Sequence, residues 1–198
     1  MSHYTRFTLV LTIVCVSAAA GVGGVYLLTR EPIARKALEN AREARTQVLP
    51  DASSFEPIVD TGVYAGLDAE GRVVGWVADG ASGGYGGKLT VMLGLGTDDT
   101  VAGVTVLAHH ETPGLGAECA KVLSDDTLWM KLGGHSAGAT HSWLDQFVGK
   151  REDQLKLGAG IDARTGCTIT SRAITAAARD AVARITAARK RSPDGNQP

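Results

Sequence analysis

Several chemistries are excluded by what this sequence lacks. Its cysteines number three, Cys15, Cys119 and Cys167; they form no Cys-x-x-Cys pair, and the histidines form no His-x-x-x-His pair. The usual zinc spacings are therefore absent. Three scattered cysteines also argue against a disulfide framework, and Cys119 and Cys167 can pair only if the fold brings them together. The net charge is −1, with basic residues dispersed or gathered at the C-terminus, so no nucleic-acid footprint is present and no nucleic-acid partner is expected. No Gly-x-Gly-x-x-Gly follows a strand, which disfavours a self-contained flavin reductase using a soluble nicotinamide substrate. The stretch Ser82-Gly83-Gly84-Tyr85-Gly86-Gly87-Lys88 fails as a P-loop. Serine stands where the first glycine is needed, and Leu89 where Ser or Thr should follow the lysine. It reads as a turn with close backbone approach.

What the chain does have begins with a charge-free run. Phe7 to Leu28 spans 22 residues without a charged side chain, about 33 Å as a helix, enough to cross a hydrocarbon core. Ala18-Ala19-Ala20 offers a signal-cleavage pattern, but the apolar run continues past it through Val25, Tyr26, Leu27 and Leu28, so a retained transmembrane helix is expected. From Glu31 to Val48 a helix is predicted, with Pro32 at its first turn and Ile33, Ala37, Ala41, Ala44 and Val48 forming a stripe to lie on the domain. Arg30, Arg35, Lys36, Arg42 and Arg45 follow the span, against Arg6 before it. By local charge that favours a cytoplasmic domain.

Beyond Pro50 the pattern changes to short β-branched or alternating runs. Strands are predicted at Gly62–Leu67, Arg72–Asp79, Lys88–Leu95 and Val101–Ala108, separated by turn sequences, and a helix from about Arg172 to Arg189 with Ile174, Ala177, Ala178, Ala181, Val182, Ile185 and Ala188 on one face. The fold class expected is α+β: a twisted antiparallel sheet with packed helices, preceded by one transmembrane helix. The division expected is a tail at 1–6, the span at 7–28, a connecting helix at 29–50, a domain at 51–191 and a polar tail at 192–198.

Two stretches carry candidate chemistry. Asp162-Ala163-Arg164-Thr165-Gly166-Cys167-Thr168-Ile169-Thr170-Ser171 sets small hydroxyl residues at the start of the last helix. There they serve either as N-caps or, with the free N–H groups and the macrodipole, as an anion site. His109-His110-Glu111-Thr112-Pro113-Gly114-Leu115-Gly116 follows a strand end. Its proline and glycines give either an ordinary turn or a rigid one that presses backbone against a planar ring, with Glu111 and Thr112 as polar contacts. Roles for His109, His110 or Glu111 as acid and base carry a low prior, and metal binding a lower one.

Asp-x-x-Thr-Gly-Cys-Thr resembles the Asp-x-x-Ser/Thr-Gly-Ala-Thr signature of proteins that carry FMN covalently. His109 to Gly116 resembles the His-x-Glu-Thr-Pro-Gly-Leu-Gly stretch of the same FMN-binding domain. The domain is shared by the G component of Rnf electron-transport complexes and the C component of the sodium-pumping NADH:quinone reductase, and length and anchor agree best with the former. Cys167 departs from the family's usual alanine, and Ala117-Glu118 from its acidic-then-basic pair. Trp143, Phe147 and Gly149 resemble a Trp-x-x-x-Phe-x-Gly segment, read as core first and flavin neighbours second. The stretch from Lys121 to His141, with Trp129, His135 and a Gly133-to-Gly138 run, is longer than relatives would suggest.

The resemblance implies FMN attached through its phosphate to Thr168, with Asp162, Thr165, Gly166 and Thr170 around the attachment. Asp162 would then be part of the recognition sequence for the flavin transferase that matures the protein. It further implies that Glu111, Thr112, Pro113, Gly114, Leu115 and Gly116 cradle the ring, with Tyr85 of the Gly-Tyr-x-Gly bend nearby. The implied function is electron relay within a ferredoxin:NAD oxidoreductase complex coupled to sodium or proton transport, as one subunit of an enzyme and not a complete one. The implied partners are the complex's other membrane and peripheral subunits. The domain would lie on the extracytoplasmic side of the cytoplasmic membrane, opposite to the charge count. The alternative is a noncovalent FMN-binding or purely structural assembly subunit of a related membrane redox complex.

Overall fold

The structure, a computed structural model, describes residues 3–113, 116–120 and 142–191. It divides into two compact units, residues 1–42 and 43–198. Helix α1, His3–Val48, runs through Pro32 without restarting there. In the first unit its apolar side chains are exposed. It is long and apolar enough to cross a membrane, with a mean hydropathy of 2.1 over its best window. Its few hydroxyls are satisfied internally. Thr8 donates to the carbonyl of Tyr4, Thr12 to that of Thr8, Ser17 to that of Val14 and Thr29 to that of Val25, the arrangement an apolar surrounding requires of a polar side chain.

The second unit is built on a five-stranded antiparallel meander in the order β1-β2-β3-β4-β5, with β1 Ser54–Ile58, β2 Val63–Leu67, β3 Val73–Gly83, β4 Lys88–Gly96 and β5 Val101–Ala108. Four of these strands match the expected runs. β1 is the addition: Ser-Phe-Glu-Pro-Ile carries a proline and no alternation, and such a residue is tolerated because β1 is an edge strand. A short helix, α2, follows the sheet at Ala117–Ala120. The start of β5, the other edge, is engaged by the segment after a 3₁₀ helix at Trp143–Phe147. Gly149 N–H donates to Val101, and Val101 N–H to Lys150.

Alternation sends side chains to two cores. On one face Trp76, Ala78, Leu89, Val91, Leu93 and Leu95 pack under helix α3, Thr168–Arg191. On the other, Val77 and Met92 meet Ala44, Val48, Leu49 and Ala52, so it is the last turn of α1 that lies on the sheet. Ile33 and Leu38 stay exposed. Of the predicted stripe, Ala44 and Val48 are buried in this core. Helix α3 approaches β3 very closely through its alanines. A Cβ on Gly80 would lie 2.0 Å from the Ala177 carbonyl oxygen, so only glycine fits there. Two exposed polar links fix the helix along the strand: Arg184 donates to the Asp79 carbonyl, and Ala81 N–H to the Asp180 carboxylate.

Candidate functional site at the start of the last helix

Helix α3 begins at Thr168, four residues earlier than periodicity alone suggested. Thr168 is therefore the first helical residue, and Thr170 and Ser171 lie inside the first turn, both buried. The Cys167 carbonyl accepts the first helical bond, from Ser171 N–H. No acidic residue occupies that turn; the nearest negative group among the described lining residues is the Glu111 carboxylate across the pocket described below, which faces Thr170 at Gly116. The preceding loop turns at Gly166, whose φ of 86° is the left-handed conformation glycine adopts at little cost. Thr168 is exposed, as are Thr165 and Asp162 in large part.

Asp162 is held by its backbone. Its carbonyl accepts from Trp143 Nε1 at 2.9 Å, and its N–H donates to Gln146 Oε1 at 2.8 Å. The carboxylate is left facing solvent. Trp143 thus positions the loop before α3 from the outside and stacks edge-on against Phe147. Phe147 is fully buried core, and neither ring is among the residues that line the pocket described next.

A pocket of about 380 Å³ opens beside this helix start, lined by Tyr85, Glu111, Thr112, Gly116, Gly166, Cys167, Thr168, Ile169 and Thr170. The two motifs, and the tyrosine of the glycine-rich hairpin, therefore share one cavity. Pro113 is exposed at the turn, while Gly114 and Leu115 lie outside the described residues, as do Lys121 to His141. Glu111 is 6% exposed, and its carboxylate is pressed between glycines. A Cβ on Gly84 would meet one oxygen at 2.0 Å, and a Cβ on Gly116 the other at 2.3 Å. Gly86 N–H donates to this carboxylate at 3.4 Å, which leaves the group with acceptor capacity directed along the cavity wall. The hairpin between β3 and β4 is a turn with close backbone approach, closed by Gly84 N–H donating to Gly87.

One element of the site was not foreseen. Cys119, in α2, is disulfide-bonded to Cys167. The pairing that sequence left open, conditional on the fold bringing Cys119 and Cys167 together, is the one observed. Pairing across 48 residues of chain is decided by tertiary proximity, to which sequence spacing is blind. Cys15 remains free.

The site's dimensions fall within the range of cofactor pockets. A glycine-lined wall admits a flat ring, a helix whose own first turn carries no acidic residue suits a phosphate, and an exposed hydroxyl stands at the junction. These features fit a flavin mononucleotide. The family model described as FMN-binding domain matches residues 84–183, a span that contains every pocket residue. The chain is 28% identical to the G component of the ion-translocating oxidoreductase complex of Methanosarcina acetivorans, over 92% of this chain and 95% of that one. It is 30% identical to the G component of the Na(+)-translocating ferredoxin:NAD(+) oxidoreductase complex of Acetobacterium woodii, over 86% of each. The proton-translocating counterpart of Clostridium ljungdahlii is 26% identical, over 89% and 88%. Among solved structures, Shewanella oneidensis NqrC aligns over 67% of this chain and 66% of its own, with a TM-score of 0.43 and 21% identity. Cavity, motifs and family model agree on the same residues, and the chain belongs to the FMN-binding domain family.

Proposed function

We propose that this chain is the membrane-anchored flavoprotein subunit of an Rnf-type ion-translocating ferredoxin:NAD oxidoreductase, relaying electrons through FMN covalently held at Thr168. The observation that carries the reading is the convergence of Thr168, Thr170, Glu111, Thr112, Gly116 and Tyr85 on one pocket at a helix start. When bound, FMN supplies one- and two-electron transfer; the chain supplies position, exposure and hydrogen bonding. Thr168 offers an exposed hydroxyl, and the N–H groups of the first turn receive the phosphate oxygens without a basic side chain. Gly166 and Thr165 shape the approach, and the outward carboxylate of Asp162 is the feature a flavin transferase reads. Glu111 would accept hydrogen bonds from the ring edge, and Thr112, Pro113, Gly114, Leu115 and Gly116 are assigned to holding the ring. Tyr85, 73% exposed at the hairpin tip, covers the opening.

The anchor is the α1 span, and the domain stands on the extracytoplasmic side of the cytoplasmic membrane, translocated despite the flanking charge as long domains are. Relatives named for sodium and for proton translocation both match this chain, so the coupling ion is written as sodium or proton. Nicotinamide and iron–sulfur chemistry is assigned to partner subunits.

The test is peptide mass spectrometry of protein purified from its native membrane, beside a Thr168→Ala variant. The expected result is a gain of FMN less water on the Thr168 peptide, absent from the variant, with flavin fluorescence that survives denaturing electrophoresis. An unmodified peptide from membranes with active flavin transferase would refute the tether. Isolated protein whose flavin is bleached by NADH alone would point to a reductase.

A further inference from the structure

The Cys119–Cys167 bridge ties together the two segments that form the pocket. Cys167 directly precedes Thr168 and lines the cavity, while Cys119 lies three residues beyond Gly116. Both cysteines are buried, and the Ser171 hydroxyl lies 3.4 Å from Cys119 Sγ. The same hydroxyl donates to the Cys167 carbonyl at 3.0 Å and accepts from Arg164 N–H at 3.3 Å. The Cys167 N–H also donates to the Arg164 carbonyl, so the loop end at Arg164 is tied to the bridged residue. Residues 162–166 are mostly exposed and outside the sheet, with Asp162 fastened at one end by Trp143 and Gln146. The bridge fastens the other end.

We propose that in this chain the disulfide is a positioning strut, an oxidative modification that holds the segment carrying the Thr168 hydroxyl against the one carrying Gly116 and so speeds flavin attachment, a task that relatives with alanine at the Cys167 position meet by other packing. In its formation the two thiols lose two protons and two electrons, and one S–S bond forms. The electrons pass to the disulfide of a thiol oxidase, which leaves as a dithiol. Disulfides persist on the oxidising side of a membrane. The strut therefore places the domain outside the cytoplasm, against the local charge count. The inference rests on the proposed FMN site for its functional consequence, but not for the bridge itself.

The experiment uses the full chain extracted from its own membranes with free thiols blocked by N-ethylmaleimide, before and after reduction, with intact mass as the readout. Expected is one adduct before reduction, at Cys15, and adducts at all three cysteines afterwards. Hydrogen exchange over residues 162–170 is then compared in the flavin-free Thr168→Ala chain, oxidised and reduced, and should be about tenfold faster when reduced. With Thr168 restored, a Cys119→Ala, Cys167→Ala chain should accept FMN from flavin transferase about tenfold more slowly. If that double variant does not fold, chemical reduction of the folded native chain, followed by circular dichroism, carries the same comparison. Three adducts before reduction overturn the strut, as do unchanged exchange and an unchanged transfer rate. Bridge-dependent exchange beside an unmodified Thr168 peptide refutes the covalent flavin reading and leaves the strut standing.

Discussion

The two ends of helix α3 are built on different physics. At the N-terminal end the pocket is walled by glycine, threonine and a disulfide, with Glu111 as the one charged lining residue among the described residues. At the C-terminal end a larger groove of about 830 Å³ is lined by Arg151, Lys156, Arg179, Arg189 and Lys190 against Asp99, Glu152 and Asp153. There Arg189 pairs with Asp99 and lies over the Trp76 ring, 4.3 Å from its centroid. The first end works through backbone N–H groups and shape inside a walled pocket. The second relies on partly exposed side chains whose attractions are weak in water. Change at the first end should therefore alter the cofactor, and change at the second only stability, and by little.

The sharpest separation is expected of Thr168→Ala. It should abolish covalent flavin while shifting unfolding free energy by about 0.5 kcal/mol or less, since the side chain is exposed; in-gel fluorescence and thermal melts would read both. A variant that lost flavin only by unfolding would break the comparison. Next comes the disulfide: for a closure of 48 residues chain entropy gives about 4 kcal/mol, so reduction should lower the denaturant midpoint markedly. Gly116→Val should follow, because its Cβ would meet Glu111 and Thr170 at 2.3 and 2.5 Å. A loss of about 1–3 kcal/mol is expected from forced repacking, together with weaker FMN retention by the Thr168→Ala chain in equilibrium dialysis.

Arg189→Ala tests the other end. Loss of the ring contact and the exposed pair should cost about 1 kcal/mol and leave flavin attachment unchanged. A fall in flavin content would show that the ends communicate along the helix. Smallest is the acid response. Hydrogen bonds from the Thr100 hydroxyl and N–H hold Asp98 below the ordinary carboxylate value of 3.8. Asp68 is likewise lowered, first by the Arg72 N–H. Groups depressed in the folded state stabilise it above 3.8 and lose that contribution as pH falls through their folded values. Asp98→Asn should flatten the pH dependence of unfolding below 3.8 and leave the neutral range untouched, as urea titrations at stepped pH would show.

Local pattern was enough to read the membrane-length run, four of the strands, the alanine face of α3 and both motifs, because period, charge and turn chemistry depend on near neighbours. It misread α3's start, since Thr168 to Ser171 suit a cap as well as a first turn, and passed over β1, whose proline hides an edge strand. The sequence by itself determined that an apolar sheet face would be covered by an alanine-faced helix and that hydroxyls would cluster where that helix begins. Only tertiary structure decided that Glu111 and Thr168 share a cavity, that Cys119 meets Cys167, and that Trp143 holds Asp162. These pairs are 19 to 57 positions apart in the chain. Their meeting is set by tertiary packing, of which the close seat of α3 on β3 at Gly80 is one part, and such packing acts over distances no local pattern encodes.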